Sequence, residues 1–138
     1  MALLRTLPLF LVILLIYNAM LLIVDDMAAA LGSSLFTVHL MSGSAWTLTV
    51  SDLFILIGVV VLYMEIFKAT RTSMASVIDH TLSTLVFVAF IIEFVLVKGA
   101  GTSTFLILGL MSLFDVIAGF TVTIVAARRD IGFGHSDL

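Results

Sequence analysis

Cysteine is absent, proline occurs once (Pro8), and charge is scarce: six Lys and Arg and nine Asp and Glu in 138 residues, 11% of the chain. Without cysteine there is no disulfide-stapled secreted module and no thiolate zinc or iron–sulfur site. With a formal net charge of −3 the chain is not a basic nucleic-acid binder. His39, His80 and His135 stand in three separate places, and none has a second metal ligand at a familiar spacing. There is no Walker-type glycine loop and no Gly-x-Ser-x-Gly elbow. The expectation is a chain with no metal, no cofactor and no catalytic site. What is abundant is hydrophobic residue, 62% of the chain. A soluble domain averages ~45–50% apolar and ~25% charged, so this sequence lacks the polar residues to clothe a soluble fold.

The apolar residues fall into four segments, about 7–24, 53–67, 81–97 and 104–127. A transmembrane helix needs ~20 apolar residues to cross ~30 Å of hydrocarbon. The expected fold is an all-α integral membrane protein of one domain, a four-transmembrane-helix bundle. Arg5, Lys68, Arg71, Arg128 and Arg129 fall on one side and only Lys98 on the other. By the positive-inside rule both termini are cytoplasmic, as in a bacterial-type plasma (inner) membrane. Arg5 and Ala28-Ala29-Ala30 have the outline of a signal peptide, but the apolar run between them exceeds the usual ~7–15 residues. The first segment is therefore expected to be retained as a helix.

The external connection, residues 25–52, is long for a structureless loop. A short interfacial helix is expected over 25–31. Beyond it the pattern alternates with period two. Phe36, Val38, Leu40, Trp46, Leu48 and Val50 are apolar, and Thr37, His39, Thr47 and Thr49 interleave them. Around Ser42-Gly43-Ser44 this predicts an extracytoplasmic β-hairpin between helices 1 and 2. A turn at 42–44 would pair Leu40 with Trp46, Val38 with Leu48 and Phe36 with Val50. An isolated hairpin is marginal in water. Its apolar face must rest on the bundle mouth, on the lipid interface or on another protein.

Ionisable groups in hydrocarbon cost at least ~2.5–3.5 kcal/mol on the insertion scale and are functional hypotheses by default. Glu65, Glu93 and Asp115 are three such groups, and Asn18 is a neutral polar fourth. Each shares a helical stripe with small or polar residues. Ser112, Asp115, Gly119 and Thr123 form one stripe; Asp79, Ser83, Val86, Phe90 and Glu93 form another; Gly58 and Glu65 lie a heptad apart. Such stripes mark faces where helices pack closely. The carboxyls are expected either to bond neighbouring helices or to line a proton or ion path. Asp79 is expected to cap the third span. Lys68, Arg71, Arg128 and Arg129 are expected to meet anionic lipid headgroups, with 128–138 a cytoplasmic tail.

In length and span count the chain resembles the small multidrug-resistance transporters. That family relies on a glutamate in its first helix, and the first span here carries Asn18 and no acid, so the chain is not assigned to it. The leading functional expectation is an accessory or scaffold subunit. It would stabilise a larger membrane complex or homo-oligomer, with the bilayer and other membrane subunits as partners and no nucleic acid. The second is a small proton- or ion-coupled transporter or channel.

Overall fold

The structure is a computed structural model and describes residues 7–70 and 74–132, with no side chains described at 74–77, 126, 127 and 129–132. Its elements in chain order are α1 (Leu9–Ile23), α2 (Met27–Gly32), β1 (Ser34–His39), β2 (Ala45–Thr49), α3 (Val50–Ala69), α4 (Met74–Leu96) and α5 (Ser103–Gly132). Three helical stretches are long and apolar enough to cross a membrane: Val50–Ala69, Ile78–Leu96 and Ser103–Val125. The first apolar segment is helical over 15 residues only. It is shorter than the 7–24 expected because Pro8, with extended backbone, stands at its N-cap and Val24 leaves helical geometry at its end.

Local chemistry sets the other boundaries. Thr49 and Asp52 form a reciprocal capping box, so α3 begins at Val50, three residues before the apolar run. Val50 is thus the first residue of a helix and not, as expected, the last of a strand. Asp26 caps α2 by accepting from the Ala29 N–H at 3.0 Å. Thr102 caps α5 by accepting from the Phe105 N–H at 3.2 Å. At the end of α4 the chain turns through Gly99, whose φ of 93° suits a residue without Cβ. Two expectations at the opposite ends of these helices fail. α4 starts at Met74 and not near 81, so Asp79 lies inside the helix and does not cap it. α5 continues through Arg128 to Gly132, so the first part of the expected tail is helical.

The hairpin forms, but in a different register. Thr37 pairs with Thr47, Val38 with Trp46, His39 with Ala45 and Phe36 with Leu48. From Phe36 to His39 each residue meets a partner two places earlier than expected, and Ser34, beyond a register shift, pairs with Thr49. The cause is Gly43, with φ of 83°. It donates its N–H to Leu40 O at 3.0 Å, and Leu40 N–H bonds Ser44 O at 2.9 Å. The turn is therefore 41–43, with glycine last in the left-handed position that a three-residue hairpin loop requires. A shift of two preserves the facing of every side chain. Leu40 loses Trp46 as its partner, and Phe36 meets Trp46 diagonally, edge to face at 6.3 Å between ring centroids.

α5 packs mainly against α3 and α4, and α1 contacts the same two helices more lightly. The core is aromatic. Tyr17 stacks against Phe54 and Phe105 at 5.6 and 4.7 Å, and Phe90 against Phe105 at 5.0 Å. Such pairs each contribute about 0.5–1.5 kcal/mol beyond area burial. Two glycines let backbones approach. A Cβ at Gly58 would meet Leu108 at 2.7 Å, and a Cβ at Gly119 would collide with the His80 ring. The surface inverts the soluble pattern. Leu15, Val60, Leu85 and Val95 are exposed, whereas Glu65, Asp79, Ser83, Ser112 and Asp115 are buried.

Candidate functional site: a buried polar knot and an uncovered hairpin

The end of the bundle where α1 begins holds a knot of charge. Glu65, 1% exposed, lies on the buried stripe of α3 with Gly58. Its Oε1 accepts the backbone N–H of Leu9, one of the donors that the start of a helix leaves without an intrahelical partner. A carboxylate there also faces the positive end of the α1 dipole. Its Oε2 lies 2.8 Å from Lys68 Nζ, and Asp79 Oδ1 lies 2.9 Å from the same nitrogen. Lys68 further donates to Leu7 O at 3.1 Å. Two carboxylates and one carbonyl thus stand within 3.1 Å of its ammonium. Lys68, expected to meet lipid headgroups, has its ammonium against these protein oxygens. One side chain ties α3 to α4 and to the start of α1.

Asp115, 2% exposed, stands beside this knot on α5. Ser83 of α4 lies against it, and Glu65, Asp79 and Lys68 are near enough for their charges to act on it. Ser112 is one turn away on the same face. Among the described residues, Asp115 Oδ2, Ser83 Oγ and Ser112 Oγ are buried with no hydrogen-bond partner, and Glu65 Oε2 and Asp79 Oδ1 have only their ion-pair contact with Lys68. One turn further along α5, Gly119 is packed against His80.

Toward the hairpin end the polar contacts are smaller and neutral at one partner. Asn18 donates to Glu93 Oε2 at 2.7 Å and to Leu14 O at 3.0 Å, joining α1 to α4. Tyr17 Oη and Thr102 Oγ1 lie 2.7 Å apart, as do Ser51 Oγ and Thr104 Oγ1. The intramembrane candidates therefore divide. Glu65 and Asp115 come together, and Glu93 and Asn18 pair apart from them.

The hairpin leaves its apolar side open. Phe36 is 52% exposed and Trp46 45%, and Val38, Leu40 and Met41 are also exposed. Only Leu48 is buried, while Val50 packs against the core from the first turn of α3. The opposite face carries a Thr37–Thr47 hydroxyl contact of 2.8 Å. Arg128 is exposed on the last turns of α5. Arg5, Arg71, His135 and residues 133–138 lie outside the described residues, as does the Arg129 side chain.

Sequence reading missed two members of the knot. Asp79 shared a stripe with Ser83 and Phe90, a signal that it faces inward. The Leu9 N–H left no signal, because a backbone donor has no residue type. Compared with family models, with curated proteins and with solved structures, the chain matches none.

Proposed function

We propose that this chain is an integral membrane protein of four spans with both termini cytoplasmic, in a bacterial-type plasma membrane. In it the protein acts as an accessory or scaffold subunit of a larger membrane complex or a homo-oligomer. The observation that carries this reading is the hairpin, whose apolar side is not covered by its own bundle. Contiguous exposed apolar surface rimmed by polar residues marks interaction sites, and Phe36, Val38, Leu40 and Trp46 form such a surface with Thr37 and Thr47 behind it. The internal ties of Glu65 to the Leu9 N–H and of Glu93 to Asn18 support it from the other side: these carboxyls hold helices together. α1, at 15 residues, is short for a span; extended to Leu7–Val24 it reaches ~27 Å at 1.5 Å per residue, and slight bilayer thinning accommodates the rest.

The test is a photocrosslinking residue at Phe36 or Trp46 in native membranes, with Thr47 on the other face as control. A discrete protein adduct from Phe36 and Trp46, absent from Thr47, is expected. Adducts to lipid alone, together with a monomer in native nanodiscs, would refute a subunit role. The second reading, a proton- or ion-coupled transporter, draws support from Asp115, whose Oδ2 has no partner among the described residues. Its test is ion flux into liposomes, compared with the Asp115→Asn variant.

A further inference from the structure

We propose that Asp115, Ser83 and Ser112 form a binding position for one small, hard monovalent metal cation of the sodium class, buried between α4 and α5. The argument begins with charge. The groups facing this position are Glu65 and Lys68 from α3, Asp79 and His80 from α4, and Asp115 from α5; α1 brings only the Leu9 N–H and the Leu7 carbonyl. Three carboxyls thus meet one ammonium. That ammonium is in contact with Glu65, Asp79 and Leu7, and no ion pair joins it to Asp115 among the described residues. His80 has contacts of its own. Arg128, the next described cation along α5, is exposed and lies ~20 Å away at 1.5 Å per residue. A carboxylate out of water with no counter-charge is strongly disfavoured.

The second line is the atoms themselves. Asp115 Oδ2, Ser83 Oγ and Ser112 Oγ are buried and without partners among the described residues. Each residue is at most 2% exposed. Buried polar atoms are seldom left unbonded, and each exception asks for an explanation. All three are oxygens, the ligand class of hard cations. Among the described residues no group of three or more His, Cys, Asp or Glu is arranged to hold a metal. One carboxylate with two hydroxyls matches a single positive charge better than a divalent ion.

The position is independent of the subunit reading. A failed hairpin crosslink leaves it standing, and a failed sodium titration leaves the hairpin argument intact. The experiment is equilibrium binding of radioactive sodium to the full chain in lipid nanodiscs. Thermal unfolding in sodium chloride or N-methylglucamine chloride at equal ionic strength, from pH about 6 to about 8.5, accompanies it. Expected are one sodium per chain and a sodium-specific rise in melting temperature that saturates. Both are lost in Asp115→Asn and kept in Glu93→Gln. Ser83→Ala with Ser112→Ala, which removes no charge and should fold even if Asp115→Asn does not, should weaken binding roughly tenfold. No sodium-specific binding at any pH would overturn the proposal. So would a melting temperature that responds to pH through Asp115 but not to sodium, since a proton would then supply the charge.

Discussion

The two ends of the bundle solve the same problem in opposite ways. At the Lys68 end, charged groups are buried and bound to one another, and three helices meet through a single ammonium. At the hairpin end, apolar side chains are left open on a two-stranded sheet whose burial falls to one residue, Leu48. At the first end the ion pairs close within the chain, while Asp115 Oδ2, Ser83 Oγ and Ser112 Oγ have no partner among the described residues. The second leaves Phe36 and Trp46 uncovered by the chain's own helices. Burial of charge is tolerable where every donor is matched, and exposure of Phe36 and Trp46 is tolerable where lipid or protein covers them.

The contrast breaks most severely at Lys68. Lys68→Met leaves Glu65 and Asp79 buried without a cation, and removal of one partner of a buried pair costs about 3–5 kcal/mol. Unfolding in detergent should show that loss. The triple variant Glu65→Gln, Lys68→Met, Asp79→Asn should recover most of it, because no charge is then left uncompensated. If the single variant is as stable as the parent, the knot is not what joins α1, α3 and α4.

At the other end the largest effect should come from Gly43→Val. A β-branched residue at φ of 83° is strained by about 1–3 kcal/mol. The strain should fall on the hairpin alone, with faster proteolysis between 34 and 49 and an unchanged unfolding midpoint for the helices. A parallel fall in that midpoint would mean that the hairpin is part of the bundle's cooperative unit.

Asn18→Leu lies between the two ends. It removes the Glu93 contact, and buried interhelical hydrogen bonds of this kind average about 0.6 kcal/mol with a maximum near 1.7. A loss of about 1 kcal/mol in the same unfolding assay is expected, well below that of Lys68→Met. The smallest effect should be Thr47→Ala, which removes one cross-strand hydroxyl contact for about 0.2–1 kcal/mol. It should be visible only as slightly faster amide exchange in the hairpin.

Much of this was legible because period and composition carry it. The inward stripes were readable from spacing: Ser112, Asp115 and Gly119 on α5, and Ser83, Val86 and Phe90 on α4, are buried as the 3.6-residue repeat requires, although Thr123 at the end of the first stripe is exposed. The hairpin was readable from alternation. Its register was not, because two turns were compatible with the same alternating faces and only the backbone angle of Gly43 selects between them. The start of α4 was missed because the polar residues before Thr81 resemble a loop until Asp79 finds Lys68. That Asp79 and the Leu7 carbonyl join Glu65 at Lys68 was missed because a lysine at a helix end ordinarily reaches for water or headgroups, and of the three only Glu65 is local to it.

The sequence by itself determined how apolar the chain is and how that apolarity divides, 62% hydrophobic residues with four apolar segments. It also determined which face of each long helix turns inward, because helical period is a property of the chain alone. Tertiary structure decided the partners. Glu65 meets the start of α1, Glu93 meets Asn18, and Asp115 stands beside a lysine already claimed by others. Those outcomes depend on which residues distant in sequence arrive within about 3 Å of one another, and that is fixed by helix packing.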